Sequence, residues 1–169
     1  MATATDVLLD GYDRVRETVA SVVSGLDEDA LTFRPDPAAN SIAWLVWHLT
    51  RVQDDHVADV AGSEQVWTVG GWVERFRLPL DVAATGYGMS AEEVGLVRAP
   101  AELLAAYHEA VHNATVDYLK TLQPDDYERI VDERWDPPVS LMVRLVSVLD
   151  DAAQHVGQAS YLRGLVERR

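Results

Sequence analysis

Apolar residues recur every third and fourth position over four long stretches, a period that suits helices lying side by side. In the first, residues 5–26, Val7, Leu8, Tyr12, Val15, Val19 and Val22 keep that spacing. The turn at 27–31 and Arg34-Pro35-Asp36-Pro37 end it. The second starts at Asn40 or Ser41, both good N-caps, and stops at Ala61 before Gly62. Its buried stripe is predicted to be Ile42, Leu45, Leu49, Val52 and Val60. The third starts near Pro100 and runs to Leu122, and the fourth follows Asp136-Pro137-Pro138, with Ser140 as N-cap, and runs to Val166. Gly157 and Gly164 lie inside it, each costing up to about 1 kcal/mol relative to alanine, which points to a packing or ligand reason. Residues 63–89 form a stretch too long for a plain connection, followed by a capping box at Ser90-Ala91-Glu92-Glu93 that predicts a short helix. The other connections read as tight. This predicts an all-α fold with negligible β content, a four-helix bundle with one long crossover loop between helices two and three, in a single domain over residues 1–169.

Charge and composition narrow the function classes. Twenty-eight acidic residues stand against 14 basic ones, for a net charge of −14. Such a surface repels phosphate backbones, so no nucleic-acid partner is expected. No apolar run approaches the ~20 residues of a membrane span, and the start carries no basic, then apolar, leader. The expectation is a cytoplasmic protein that does not enter a membrane. There is no cysteine, so any thiol chemistry needs a thiol from outside. Lys120 is the one lysine among the basic residues, an arginine bias of the kind GC-rich bacterial genomes produce.

The candidate site rests on Asp151-Ala152-Ala153-Gln154-His155. A carboxylate and an imidazole four apart share a helix face, with Cα atoms about 6 Å apart, close enough to reach one cation. A third ligand must come from another helix, and His48 lies midway along the second, at the edge of its apolar stripe. Two histidines and one carboxylate would leave open positions for water or substrate. On pattern alone, an Asp-x-x-x-His pair is more often a surface hydrogen bond, and a lone histidine beside an apolar stripe a satisfied core residue.

The stretch Asn40-Ser41-Ile42-Ala43-Trp44-Leu45-Val46-Trp47-His48-Leu49 resembles the second-helix motif of the DinB/YfiT-like superfamily. The stretch from Ser140-Leu141-Met142-Val143-Arg144 through Asp151, His155, Gln158 and Tyr161 is similar to its last-helix motif. The resemblance covers nearly the whole chain. It implies one histidine ligand in the first motif and two ligands four apart in the last helix, hence a divalent ion, zinc or nickel, between His48, Asp151 and His155. The first of the pair is histidine in many members and a carboxylate in those resembling mycothiol-dependent maleylpyruvate isomerases, so Asp151 departs from the three-histidine form. The resemblance also implies pairing as a homodimer in many relatives, here through an apolar rim of helix one or three.

His108-Glu109-Ala110-Val111-His112 matches the zinc-protease pattern, with Asp132 and Glu133 at a distance compatible with a third ligand. It falls on helix three, flanked by Leu104, Val111 and Leu119, without the strands such a protease needs beside its cleft. It reads as a solvated helix flank. His56 reads as a buried, hydrogen-bonded imidazole and Asp55 as a residue that hydrogen-bonds near the site. Most of the five tryptophans read as packing. Trp72, beside Gly70 and Gly71, is expected to border a pocket, and Gln158 and Tyr161 to touch a cofactor or substrate.

Three functions follow from the resemblance and the missing cysteine. The first is a metal-dependent S-transferase or isomerase-like enzyme that brings a small-molecule thiol, mycothiol given the arginine bias, to a small electrophile. The second is hydrolysis of a small amide or ester by metal-activated water. The third is a non-catalytic metal- or ligand-binding protein.

Overall fold

The computed structural model describes residues 2–169. Four long helices form where the period predicted them: α1 (Ala4–Val23), α3 (Ile42–Ala61), α7 (Ala101–Thr121) and α8 (Leu141–Val166). Their ends follow local chemistry. Thr3 and Asp6 close a capping box on α1, and the Ser41 and Ser140 hydroxyls accept from the Trp44 and Val143 amides. Gly62, at φ 67°, ends α3 in the left-handed conformation.

Side-chain contacts set the helix directions. The Tyr12 hydroxyl donates to the Leu145 carbonyl at 3.0 Å, and Arg163 donates to the carbonyls of Ser21, Val22 and Ser24. Helices α1 and α8 therefore run parallel. Thr50 meets His108 and Gln53 meets Thr115, so α3 and α7 also run parallel. Helix α3 packs on α7 and α8, and α1 packs on the same two, so consecutive long helices α1 and α3 lie across the bundle diagonal. Neighbouring parallel helices of this length need a connection spanning about 30 Å. Residues 62–100 supply it, through α4 (Val66–Val69), α5 (Trp72–Phe76) and α6 (Ala91–Leu96). The expected crossover is present.

Two expectations need correction. The other connections are not tight. Residues 24–41 contain α2 (Glu28–Thr32), and residues 122–140 contain a 3-10 turn (Pro124–Glu128) and a hairpin of β1 (Ile130–Asp132) and β2 (Val139–Ser140). Helices related by the diagonal lie too far apart for a short turn. Nor does α3 bury only one stripe. Every residue from Ile42 to Asp54 is buried, because the crossover covers the face that would otherwise meet solvent.

The core has two apolar clusters. One gathers Val15 to Val23, Ile42 to Leu49, Leu104 to Val111 and the α8 residues from Ala152 onward. The other gathers Leu8, Tyr12, Val57, Leu119, Leu141 and Leu145. Between them along α3 and α7 lies a buried polar layer of Thr50, Gln53, His108, His112 and Thr115. No helix among the described residues is long and apolar enough to cross a membrane. Exposed apolar side chains gather on the first half of α8, at Met142, Val143 and Val146, with Val7 on α1.

Candidate metal centre

Helices α3 and α8 are antiparallel, and their register brings His48 opposite Asp151 and His155. One nitrogen or oxygen from each lies within 4.8 Å of the others. Two metal bonds of about 2.1 Å at a tetrahedral angle put ligand atoms about 3.4 Å apart, so side-chain rotations that draw the three atoms together would close the set on one ion. The two imidazole rings lie 4.9 Å apart.

Each imidazole is oriented by an oxygen. His48 Nδ1 lies 2.5 Å from the Thr85 carbonyl. A carbonyl only accepts, so Nδ1 carries the proton and the Nε2 lone pair is free. His155 Nδ1 lies 3.1 Å from Gln158 Oε1, leaving its Nε2 3.6 Å from Asp151 Oδ1. The other carboxylate oxygen, Asp151 Oδ2, is buried with no hydrogen-bond partner among the described residues. Unpartnered buried carboxylate oxygens are costly, and a cation between the three side chains would satisfy this one. Burial holds His48 below the ordinary imidazole range, against the Thr85 carbonyl, which raises it, and with His155, which lowers it further. The neutral form is the one that ligates a metal.

The Thr85 carbonyl is held in place by its neighbours in the crossover. Arg51, fully buried on α3, donates through Nε to the Ala84 carbonyl at 3.1 Å, and Trp67 Nε1 donates to Val82 at 3.0 Å. Arg51 also donates to Gln65 Oε1 and lies 3.6 Å from Asp54 Oδ2. Asp54 accepts from the Val66 and Trp67 amides and the Tyr107 hydroxyl. Gly86 follows at φ 107°, and a Cβ there would overlap His48 Nδ1. Only glycine allows the backbone this close to the ring. Trp44 stacks on His48 at 4.5 Å and Tyr87 meets it edge-on at 5.2 Å.

The remaining candidates are placed as follows. Gln158 contacts His155, and Tyr161 is exposed one turn beyond. Trp72 does not border the three side chains: it is buried in the core against Tyr107, with the Arg75 guanidinium 3.9 Å from its ring. Asp55 turns away and accepts from Gln65 Nε2 at 2.7 Å. His56 is half-buried and accepts from Arg144 Nη1 at 2.8 Å, while Arg144 Nη2 donates to Asp132. Trp44 and Arg144 stand in the two motifs, but their contacts, and those of Thr85 and Tyr87, are not readable from the sequence. Gly86-Tyr87-Gly88, a glycine pair in the long stretch, is the signal that could have marked a close backbone approach.

The zinc-protease pattern is not a solvated flank but part of the buried polar layer. The Thr50 hydroxyl donates to the Val46 carbonyl, so His108 Nδ1 donates to Thr50 at 3.0 Å. His112 Nε2 instead meets Asp13 of α1 at 3.2 Å. The two rings engage different helices. Burial pushes the His108 imidazole down to about 3, with His112 and Arg16 adding to the shift. In the unfolded chain the group titrates near 6.5. As pH falls below 6.5, the unfolded state takes up the proton first, and stability drops by about 1.4 kcal/mol per pH unit until pH reaches the folded value. Going from pH 7.5 to pH 5 should therefore cost about 2 kcal/mol through His108. Urea unfolding at both pH values measures it, and His108→Gln isolates this group from the others. Equal pH sensitivity in wild type and variant would show that His108 is not held neutral.

Two openings lie along α8, and Asp151 lines the first. A cavity of about 400 Å³ is lined by Asp151, His56, Tyr87, Trp135, Arg144 and Gln154, among others. Further along α8, a groove of about 450 Å³ is lined by Ala39, Asn40, Leu45, Gly157, Gln158, Tyr161 and Leu162.

The sequence profile of mycothiol S-transferases matches residues 7–168, which include all three side chains of the candidate centre. The chain belongs to the mycothiol S-transferase family. This family lies within the DinB/YfiT-like superfamily, as the two helix motifs implied. No curated protein sequence matches the chain significantly. Among solved structures, a conserved protein from Enterococcus faecalis is similar to this mycothiol S-transferase family member over 100% of both chains, with 30% identity and a TM-score of 0.93.

Proposed function

We propose that this protein is a divalent-metal-dependent mycothiol S-transferase that joins the thiol to a small electrophile, with His48, Asp151 and His155 holding the ion. The observation that carries this reading is the orientation of the three side chains. Both imidazoles have Nδ1 engaged by an oxygen, which frees Nε2, and they stand beside a buried carboxylate oxygen that has no partner. Outer hydrogen bonds of this kind fix the tautomer and direction of metal-ligating histidines. Two nitrogens and one carboxylate suit zinc or nickel and leave positions open.

A divalent ion bound there would supply a Lewis acid that makes a nearby thiol more acidic. The protein's own part is to hold and exclude. Trp44 and the crossover cover His48, Gln158 holds His155, and Tyr87 narrows the approach from the cavity side. The chain has no cysteine to compete as nucleophile. In the transfer the thiol proton passes to solvent or buffer, the sulfur forms a bond to carbon, and the leaving group departs with its bonding pair. Gln158, bonded to His155, and the exposed Tyr161 one turn on are the residues expected to touch a substrate.

The test is conjugation of mycothiol to p-nitrobenzyl chloride, followed by mass spectrometry. Product should require the thiol, should fall to the uncatalysed rate after chelation, and should return with zinc or nickel. Product formation unaffected by chelation would overturn the reading. Ester or amide cleavage without thiol would select metal-water hydrolysis on the same three side chains. Tight metal binding with no turnover would select a binding protein.

A further inference from the structure

We infer that the two openings divide the two substrates, with the sugar portion of the thiol in the cavity beside Asp151 and an apolar electrophile in the groove opened by Gly157. The inference rests on the thiol-transfer reading above and assigns its subsites. The deciding residue is Gly157, inside α8. Its backbone is not left-handed, and an added Cβ would meet nothing within 4 Å. Neither conformation nor packing calls for glycine, although glycine weakens a helix interior. The absent side chain keeps the floor of the groove open between Leu45, Leu162 and Tyr161.

The two sides differ in chemistry. The groove is walled by leucine and alanine side chains and one exposed tyrosine ring, with Asn40 and Gln158 as its polar side chains. Gln158, in the groove's lining, is bonded to His155 and is the groove's link to the candidate centre. An aromatic or alkyl electrophile fits such a surface. The cavity instead offers Asp150, Gln154, Ser147, His56 and Arg144, with the exposed Trp135 and Tyr87 rings at its edges. Carboxylate, amide and guanidinium groups supply both donors and acceptors for a polyhydroxylated molecule, and an indole face supports a sugar ring. Mycothiol carries its cysteine on an amino sugar linked to inositol. With the sugars in the cavity, its cysteine would lie on the side lined by Asp151.

Two unreactive probes test this by amide chemical-shift titration: S-methyl-mycothiol, whose sulfur is capped, and p-nitrobenzyl alcohol. The first should move the amides of Ser147 and Gln154, and the second those of Gly157, Gln158 and Leu162. Gly157→Leu puts a side chain into the groove from a Cβ position that meets nothing within 4 Å. It should weaken the alcohol at least about tenfold, the loss expected when an apolar ring contact is blocked, and leave S-methyl-mycothiol unchanged. Trp135→Ala should do the reverse. A crossed pattern, or a Gly157→Leu variant that binds both probes as wild type does, overturns the assignment. Failure of S-methyl-mycothiol to bind wild type overturns the assignment together with the thiol reading. Both probes binding where expected, with no conjugation of the reactive pair, sustains the subsites and overturns only the reaction.

Discussion

Alanine at position 155 is expected to empty the metal centre while leaving the bundle folded. Protein purified without added metal or a histidine tag should carry close to one zinc or nickel ion per chain. The His155→Ala variant should carry almost none, as read by elemental mass spectrometry. Residues that only orient a ligand cost about 10–100-fold in affinity when lost, so removing a ligand should weaken binding by more than about 100-fold. Gln158→Leu, which leaves His155 but removes its Nδ1 partner, should fall between the two. The fold should tolerate both changes, since His155 is half-buried and Gln158 is exposed on α8. The metal-free proteins should melt within a few degrees of each other, whereas metal should stabilise wild type by mass action. Equal metal content in wild type and His155→Ala would place the ion elsewhere.

Arg51→Met is expected to be among the most destabilising single substitutions in the chain. It removes a fully buried cation and leaves Asp54, itself 3% exposed, without its charge partner. Burial already raises the Asp54 carboxyl above its ordinary range, opposed by Tyr107, Trp67, Val66 and Arg51, which lower it. Without Arg51 the carboxyl is pushed further up. Breaking a buried pair from one side typically costs about 3–5 kcal/mol, which for a chain of this size lowers Tm by roughly 6–20 °C. Scanning calorimetry measures it. The same change releases the Ala84 carbonyl, the anchor one residue before the carbonyl that fixes the His48 tautomer. Zinc affinity of the folded variant should therefore drop about 10–100-fold, as for other outer-shell losses. Arg51→Lys keeps the charge but loses the planar fork and should fall between. A variant with wild-type Tm and wild-type zinc affinity would show that the network neither stabilises the crossover nor orients His48.

Much of this was legible in the residues. Ser41, Gly62 and Ser140 act on their own backbone within one turn, so the limits of α3 and the start of α8 could be read locally. Asp151 and His155 share a face because four residues make one turn, wherever the helix packs. Other features depend on contacts between residues far apart in the chain. Asp55 has the phase to sit near His48, yet Gln65, brought up by the crossover, takes its carboxylate. Trp72 sits beside two glycines in the loop, yet the loop folds inward and buries it against Tyr107. The zinc-protease pattern places two histidines one turn apart, yet Thr50 takes one and Asp13 the other.

The amino-acid sequence by itself determined that four long helices form, that any thiol would have to come from outside, and that a carboxylate and an imidazole share one face of the last helix. The tertiary structure decided which helix stands opposite that face, in what register His48 meets it, and which backbone carbonyl accepts from Nδ1 and so keeps the proton off Nε2. Helical period follows from hydrogen bonds and apolar contacts within a few residues. Register between α3 and α8, and the path of the crossover over His48, are set by packing and a buried ion pair that exist only once the chain has closed on itself.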